Sequence, residues 1–152
     1  LILSGKVGSN IASELGAMRV TQQIDALEIM GVNSANYLIL PKIVALVSIM
    51  PVLVTFSVAA GIIGAYCTVY IGHIGTVREL TVGMQYSFNQ WFFWMGVIKA
   101  MFFAFLIATI SSYYGYNVKG GSIEVGKAST NAVVTGSVLI LVSDTFLTQL
   151  LS

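Results

Sequence analysis

Charge is scarce in this sequence. Seven Lys and Arg and six Asp and Glu are spread over 152 residues, 9% of the chain, against 57% hydrophobic residues. A soluble domain carries about 25% charged residues, which keep its surface wet and free of large apolar patches. So little charge excludes a soluble globular surface of this size. The net charge of +1 excludes the basic field that nucleic-acid binding requires, so no nucleic-acid partner is expected. Cysteine occurs once, at Cys67 within an apolar block, which excludes an internal disulfide. His73 is also single. Without Cys, His or carboxylate partners at ligand spacing it is a solvated loop residue, and no metal site is expected. No nucleophile, base and acid combine into a catalytic constellation, so no catalytic residue is expected. Leu1 opens in the middle of an apolar stretch, with no Met, basic n-region or cleavage site. This is not a signal peptide, and an N-terminal part of the natural protein is expected to be missing.

What the chain has instead is long apolar blocks. A spanning helix needs about 20 mainly apolar residues. The first block, 1–17, is short and reads as the end of a span. Ser4, Gly5, Gly8, Ser9, Ala12, Ser13, Gly16 and Ala17 are all small and fall on one helical face. In lipid, helices associate by close backbone approach, so Gly5, Gly8, Ala12 and Gly16 mark a packing face. Lys6, Asn10 and Glu14 form a polar stripe beside it. Glu14 is expected to snorkel to the interface or to pair with Lys6; a gate residue facing a dimer cavity is the alternative. Residues 18–31, MRVTQQIDALEIMG, are too polar to span. Val20, Ile24, Leu27 and, at the end of the repeat, Met30 recur at helical spacing, with Thr21 as a starting cap and Gly31 as a stop, which predicts a short amphipathic helix.

Spans are predicted at 37–71, 91–114 and 130–151. Pro41 to Tyr70 alone is 30 residues, about 45 Å as one helix, so it must tilt, kink or protrude. Pro51 is the expected kink, and Gly61 and Gly64 allow close approach near its far end. Gly72 to Gln90 reads as a polar connector. Trp91 and Trp94 at one end of the next span, and Tyr113, Tyr114 and Tyr116 at the other, form the interfacial aromatic belts. Arg19, Lys42, Lys119 and Lys127 flank the first and third connectors and only Arg78 sits in the second. This distribution puts 18–31 and the Lys119/Lys127 loop on the cytoplasmic side. The fold class is therefore all-α, a polytopic membrane protein with about three full spans plus the end of another, in a single transmembrane domain.

Lys99 lies eight residues into its span and Asp144 eight before Ser152. The two spans are antiparallel, so both charges sit about 12 Å from the non-cytoplasmic face. A lone ion there is expensive, which predicts an ion pair. The pair either locks two helices or lines a head-group or solute path. Gly121–Ala128, GSIEVGKA, approaches the phosphate-cradling pattern G-x-x-x-x-G-K-[ST]. Ala128 lacks the magnesium-binding hydroxyl, and no strand precedes the motif. ATP binding by this chain is excluded, and no cofactor is expected in it.

An amphipathic cytoplasmic helix between two spans resembles the coupling helix of ABC transporter permeases. DALEIMG followed by Ile39–Pro41 loosely resembles the importer signature E-A-A-x3-G-x9-I-x-L-P, with Asp25 in place of Glu and a shorter gap. A much longer match exists. SGKVGSNIASELGAMRVTQQIDALEIMGVNSANYLILPKIVA strongly resembles the MlaE/YrbE permease family, with its G-R-V-G-x-x-x-A-x-E-L-G-x-M-x-V-T-E-Q-I-D-A-L-x-x-M-G run and following L-x-x-P-R. Lys6, Gln22 and Lys42 stand where Arg, Glu and Arg are usual. GGSIEVGKASTNAVV is similar to the family's entry into its last helix. The resemblance implies a homodimer in the bacterial inner membrane, with a separate ABC ATPase that binds the ATP. A periplasmic MCE-domain protein and phospholipid as cargo are implied with it. It makes Val20, Ile24, Asp25, Leu27, Glu28 and Gly31 the coupling residues. An ABC permease for a small solute and a non-transport scaffold are the alternatives.

Overall fold

A computed structural model describes residues 1–73, 75–87 and 90–151. Among these the chain is helical, in the order α1 (Ile2–Val20), α2 (Gln23–Ile29), α3 (Ser34–Gly72), α4 (Val77–Ser87), α5 (Gln90–Tyr116) and α6 (Ser122–Leu151). Three helices, α3, α5 and α6, are long and apolar enough to cross a membrane. The protein is an all-α, multi-pass membrane protein.

Helix α5 is the hub and touches α1, α3 and α6. Helix α1 lies against both α5 and α6, and the small residues explain why. A Cβ on Gly115 would fall 2.6 Å from the Ala12 carbonyl oxygen, and one on Gly8 would fall 2.9 Å from Ser111 Oγ. Paired small residues one turn apart on both helices bring the two backbones together in parallel. On the α6 side, a Cβ on Gly16 would fall 3.1 Å from Val125 Cγ1, and Ser9 Oγ lies 2.7 Å from Ser129 Oγ. These contacts run in opposite senses along the two helices, so α6 is antiparallel to α1. The stripe is thus an interface inside this chain. Gly5 departs from it, because a Cβ there would meet open space.

The boundaries differ from the sequence reading wherever a polar stretch proves helical. Residues 18–31 are not one helix. Thr21 caps the end of α1, its hydroxyl donating to the Ala17 carbonyl at 2.8 Å, and so does not start α2. Val20 accordingly ends α1. Gln22 is left-handed (φ 65°) and turns the chain into α2. Helix α3 begins at Ser34 and runs unbroken through Pro41 and Pro51 for 39 residues. At about 1.5 Å per residue it is nearly twice the hydrocarbon thickness, so it must tilt or project. Gly61 and Gly64 face open space. The stretch read as a connector contains α4, although Ile74, Phe88 and Asn89 of that stretch lie outside the described residues. Helix α6 starts at Ser122 rather than near 130, so the GSIEVGKA stretch lies largely within a helix. There Lys127 Nζ lies 3.8 Å from Glu124 Oε1, one turn back.

Candidate functional site

One end of the bundle carries an elbow formed by α2. The chain leaves α2 through a paired turn, in which Gly31 N–H donates to Glu28 O at 3.0 Å and Val32 N–H to Leu27 O at 3.1 Å. This 5→2 and 6→1 pattern needs a left-handed residue, and Gly31 supplies it with φ 81°. Asn33 then caps α3, its side-chain oxygen accepting from Asn36 N–H at 3.4 Å.

Five side chains, Arg19, Asp25, Glu28, Ser34 and Tyr116, lash this elbow to the body. Arg19 Nε donates to the carbonyl of Tyr116 at 2.8 Å. Tyr116 ends α5, where carbonyls lack helical partners, so a cation is well placed there. The same guanidinium lies 4.5 Å from the Tyr116 ring centre and 3.1 Å from Asp25 Oδ1. Tyr116 Oη lies 3.2 Å from Glu28 Oε1 and 2.7 Å from Ser34 Oγ, and Ser34 Oγ lies 3.1 Å from the same Glu28 oxygen. Two hydroxyl protons serve these three contacts, so no more than two are made as full hydrogen bonds at once, and the Glu28 carboxylate can only accept.

The six residues expected to couple therefore divide. Ile24 is wholly buried and anchors α2. Asp25 and Glu28 are held by the chain's own Arg19, Ser34 and Tyr116. Leu27 is partly buried, Gly31 makes the exit turn and Val20 closes α1. The apolar surface that α2 leaves outside belongs to Ile29, 86% exposed, and Met30, 74% exposed. Met30 continues the helical repeat of Ile24 and Leu27 but was not placed among the coupling residues, and Ile29 was missed because it lies off that repeat. Their signal was apolar character just before a helix-stopping glycine.

Nearer the middle of the bundle, α1, α3, α5 and α6 enclose an open apolar cleft of about 580 Å³. Leu1, Ile2 and Leu3, where this sequence begins, line it together with Met50, Val54, Phe103, Ile107 and Ile140, and among the described residues Ser4 is the one polar side chain in its wall. One helical turn beyond Phe103 and Ile140, on the same faces, stand Lys99 and Asp144. Lys99 Nζ lies 3.4 Å from Asp144 Oδ1 and donates to Thr148 Oγ1 at 2.6 Å. Glu14 does not meet Lys6. Its carboxylate lies 3.1 Å from Lys42 Nζ on α3, because Lys42 approaches α1 near the elbow. Lys6 and Asn10 are exposed on α1.

A family model described as Permease MlaE matches residues 1–150. A probable ABC transporter permease protein of Rickettsia bellii is 40% identical over 151 residues, covering 99% of this chain and 58% of the relative. Similarly named proteins of Synechocystis and of Pyropia yezoensis are each 31% identical, covering 99% and 95% of this chain and 57% and 55% of their own lengths. The chain thus spans rather more than half the length of the curated relatives it matches.

Proposed function

The chain belongs to the MlaE permease family, and from that premise we propose that it forms the membrane-spanning part of an ABC transporter that moves phospholipid between inner and outer membranes. A separate ATPase supplies the energy at α2. The carrying observation is the elbow. Ile24 and the Arg19, Tyr116 and Ser34 contacts fix α2 to the body, while Ile29 and Met30 project from it. A scaffold has no need for such a helix, whereas a docking surface needs an exposed apolar anchor on a rigid base.

The cargo reading rests on the cleft. Acyl chains need an apolar cavity, and a head group needs a few polar groups at its mouth. The cleft has one polar side chain, Ser4, and a charged pair one turn away. A permease for a small polar solute would need polar groups converging within the cleft. Helix α1 supports a homodimer. Lys6 and Asn10 are exposed on it, beside the Glu14–Lys42 pair, and such groups cannot face lipid cheaply. A second copy, with a wet cavity between the two, would cover them. Residence in the inner membrane and an MCE-domain partner at the end opposite α2 complete the proposal.

Purification of the full-length protein from its native membrane tests it. An ABC ATPase is expected to copurify, with phospholipid identified by mass spectrometry. The double variant Ile29→Glu/Met30→Glu should insert normally and lose the ATPase. Retention of the ATPase at full stoichiometry by that variant would refute the docking role.

A further inference from the structure

We propose that Tyr116 is the positioning residue through which movement of α2 reaches α5, so that the hub helix, and not only the flanking α1 and α3, answers the ATPase. The proposal rests on the reading of α2 as the ATPase-docking helix. Helix α2 is joined through short turns to α1 and α3, so some motion must pass to both. Among the described residues its backbone comes close to those two helices and to no other. Among the described residues, the hydrogen bonds that lead from α2 to α5 all end on one residue, Tyr116. The Tyr116 hydroxyl meets Glu28, and the Tyr116 ring and carbonyl hold Arg19, which in turn holds Asp25. Both acidic residues of α2 therefore end on Tyr116, Glu28 directly and Asp25 through Arg19.

What lies further along α5 makes this connection consequential. The same helix carries Ile107 and Phe103 in the cleft wall and Lys99 in the charged pair. Phe103 is 13 residues from Tyr116, about 20 Å along a rigid helix. Displacement of the Tyr116 end reaches the cleft without passing through α3. Ser34 Oγ, at the start of α3, contacts the same Glu28 oxygen, so α3 and α5 are pulled from one point. A concerted response of two cleft-lining helices is what an opening or closing of the cleft requires.

The test uses the full-length complex in vesicles of phosphatidylethanolamine and phosphatidylglycerol, with fluorescent phosphatidylethanolamine as the transported probe. Tyr116→Phe removes the hydroxyl and keeps the ring under Arg19. Tyr114→Phe is the control, since it removes another cross-helix hydroxyl, 3.1 Å from Thr135 Oγ1. Tyr116→Phe should assemble with the ATPase and melt as the wild type does. Its ratio of lipid moved to ATP hydrolysed should fall about five-fold or more, the lower end of coupling between distinct sites. Tyr114→Phe should stay within about two-fold of the wild type, and Glu28→Gln added to Tyr116→Phe should cause little further loss, as for residues acting as one unit. An unchanged ratio, an equal fall in Tyr114→Phe, an additive double variant, or poor assembly of Tyr116→Phe would each overturn the proposal. A wild-type complex without ATPase would instead sink the reading of α2, and this proposal with it.

Discussion

Gly115 sits so close to α1 that a single methyl group has nowhere to go. Its Cβ would fall 2.6 Å from the Ala12 carbonyl oxygen and 2.9 Å from Leu15 Cβ, and backbone cannot yield as a flexible side chain can. Gly115→Ala is expected to cost about 1–3 kcal/mol, the usual range for overpacking, read as a lower thermal midpoint in detergent. Gly5→Ala meets nothing within this chain and should leave that midpoint unchanged or raised; a loss there would reveal a neighbour from outside the chain. Ser112 presents the opposite case. Its hydroxyl is buried without a hydrogen-bond partner among the described residues, and an unpaired buried hydroxyl costs about 1–3 kcal/mol. Ser112→Ala should therefore be neutral or stabilising by the same assay, and a clear loss would show that the hydroxyl has a partner. The small-residue face on α1 was legible, because identity and four-residue spacing are properties of one helix. That Gly8, Ala12 and Gly16 would be covered while Gly5 would not was hidden, since this depends on where α5 and α6 cross α1.

At the scale of elements, α4 shows where hydropathy fails as a guide. The stretch was too polar to be read as anything but a connector, yet Thr76 and Glu79 close a reciprocal cap. Glu79 N–H donates to Thr76 Oγ1 at 3.1 Å, and Thr76 N–H to a Glu79 carboxylate oxygen at 3.4 Å. That T-x-x-E signature was present in the sequence. Tyr66 Oη, 2.8 Å from Thr81 Oγ1, then seats α4 on α3. Thr76→Ala should cost about 1 kcal/mol, confined to α4. Hydrogen exchange should speed up at residues 77–84 and stay unchanged in α5; spread into α5 would contradict an independently capped helix. Helix α6 makes the same point from its start. Apolar character begins near residue 130, but Ser122 to Ser129 are helical outside that block, because the end of an apolar run marks the edge of lipid and not the end of hydrogen bonding.

For the whole molecule, Lys99 and Asp144 join two antiparallel helices far from α2. Their equal depth followed from counting residues along both helices, and they lie 3.4 Å apart. Either single change, Lys99→Met or Asp144→Leu, leaves one ion in an apolar setting, at a cost of about 2–3 kcal/mol. The double change removes both ions and should recover most of that loss in lipid-bilayer thermal melts. Singles no worse than the double would mean that the pair contributes nothing to holding α5 and α6. The elbow at the other end works differently. Its charges are held by Arg19, Ser34 and Tyr116, so their role is to fix the direction of α2 rather than to bind two spans together.

Composition and local spacing determined the solvent, the helical class and the existence of an amphipathic element between spans. Each of these follows from hydropathy and periodicity along one segment, and lipid enforces helices because no water is present to satisfy free backbone groups. The tertiary structure alone decided the partners. Glu14 meets Lys42 and not Lys6, Ile24 is buried where Ile29 is not, and Asp25 and Glu28 converge on a tyrosine more than eighty residues away. Such pairings depend on the rotation and rise of one helix against another, which close packing of small residues sets and which no single segment encodes.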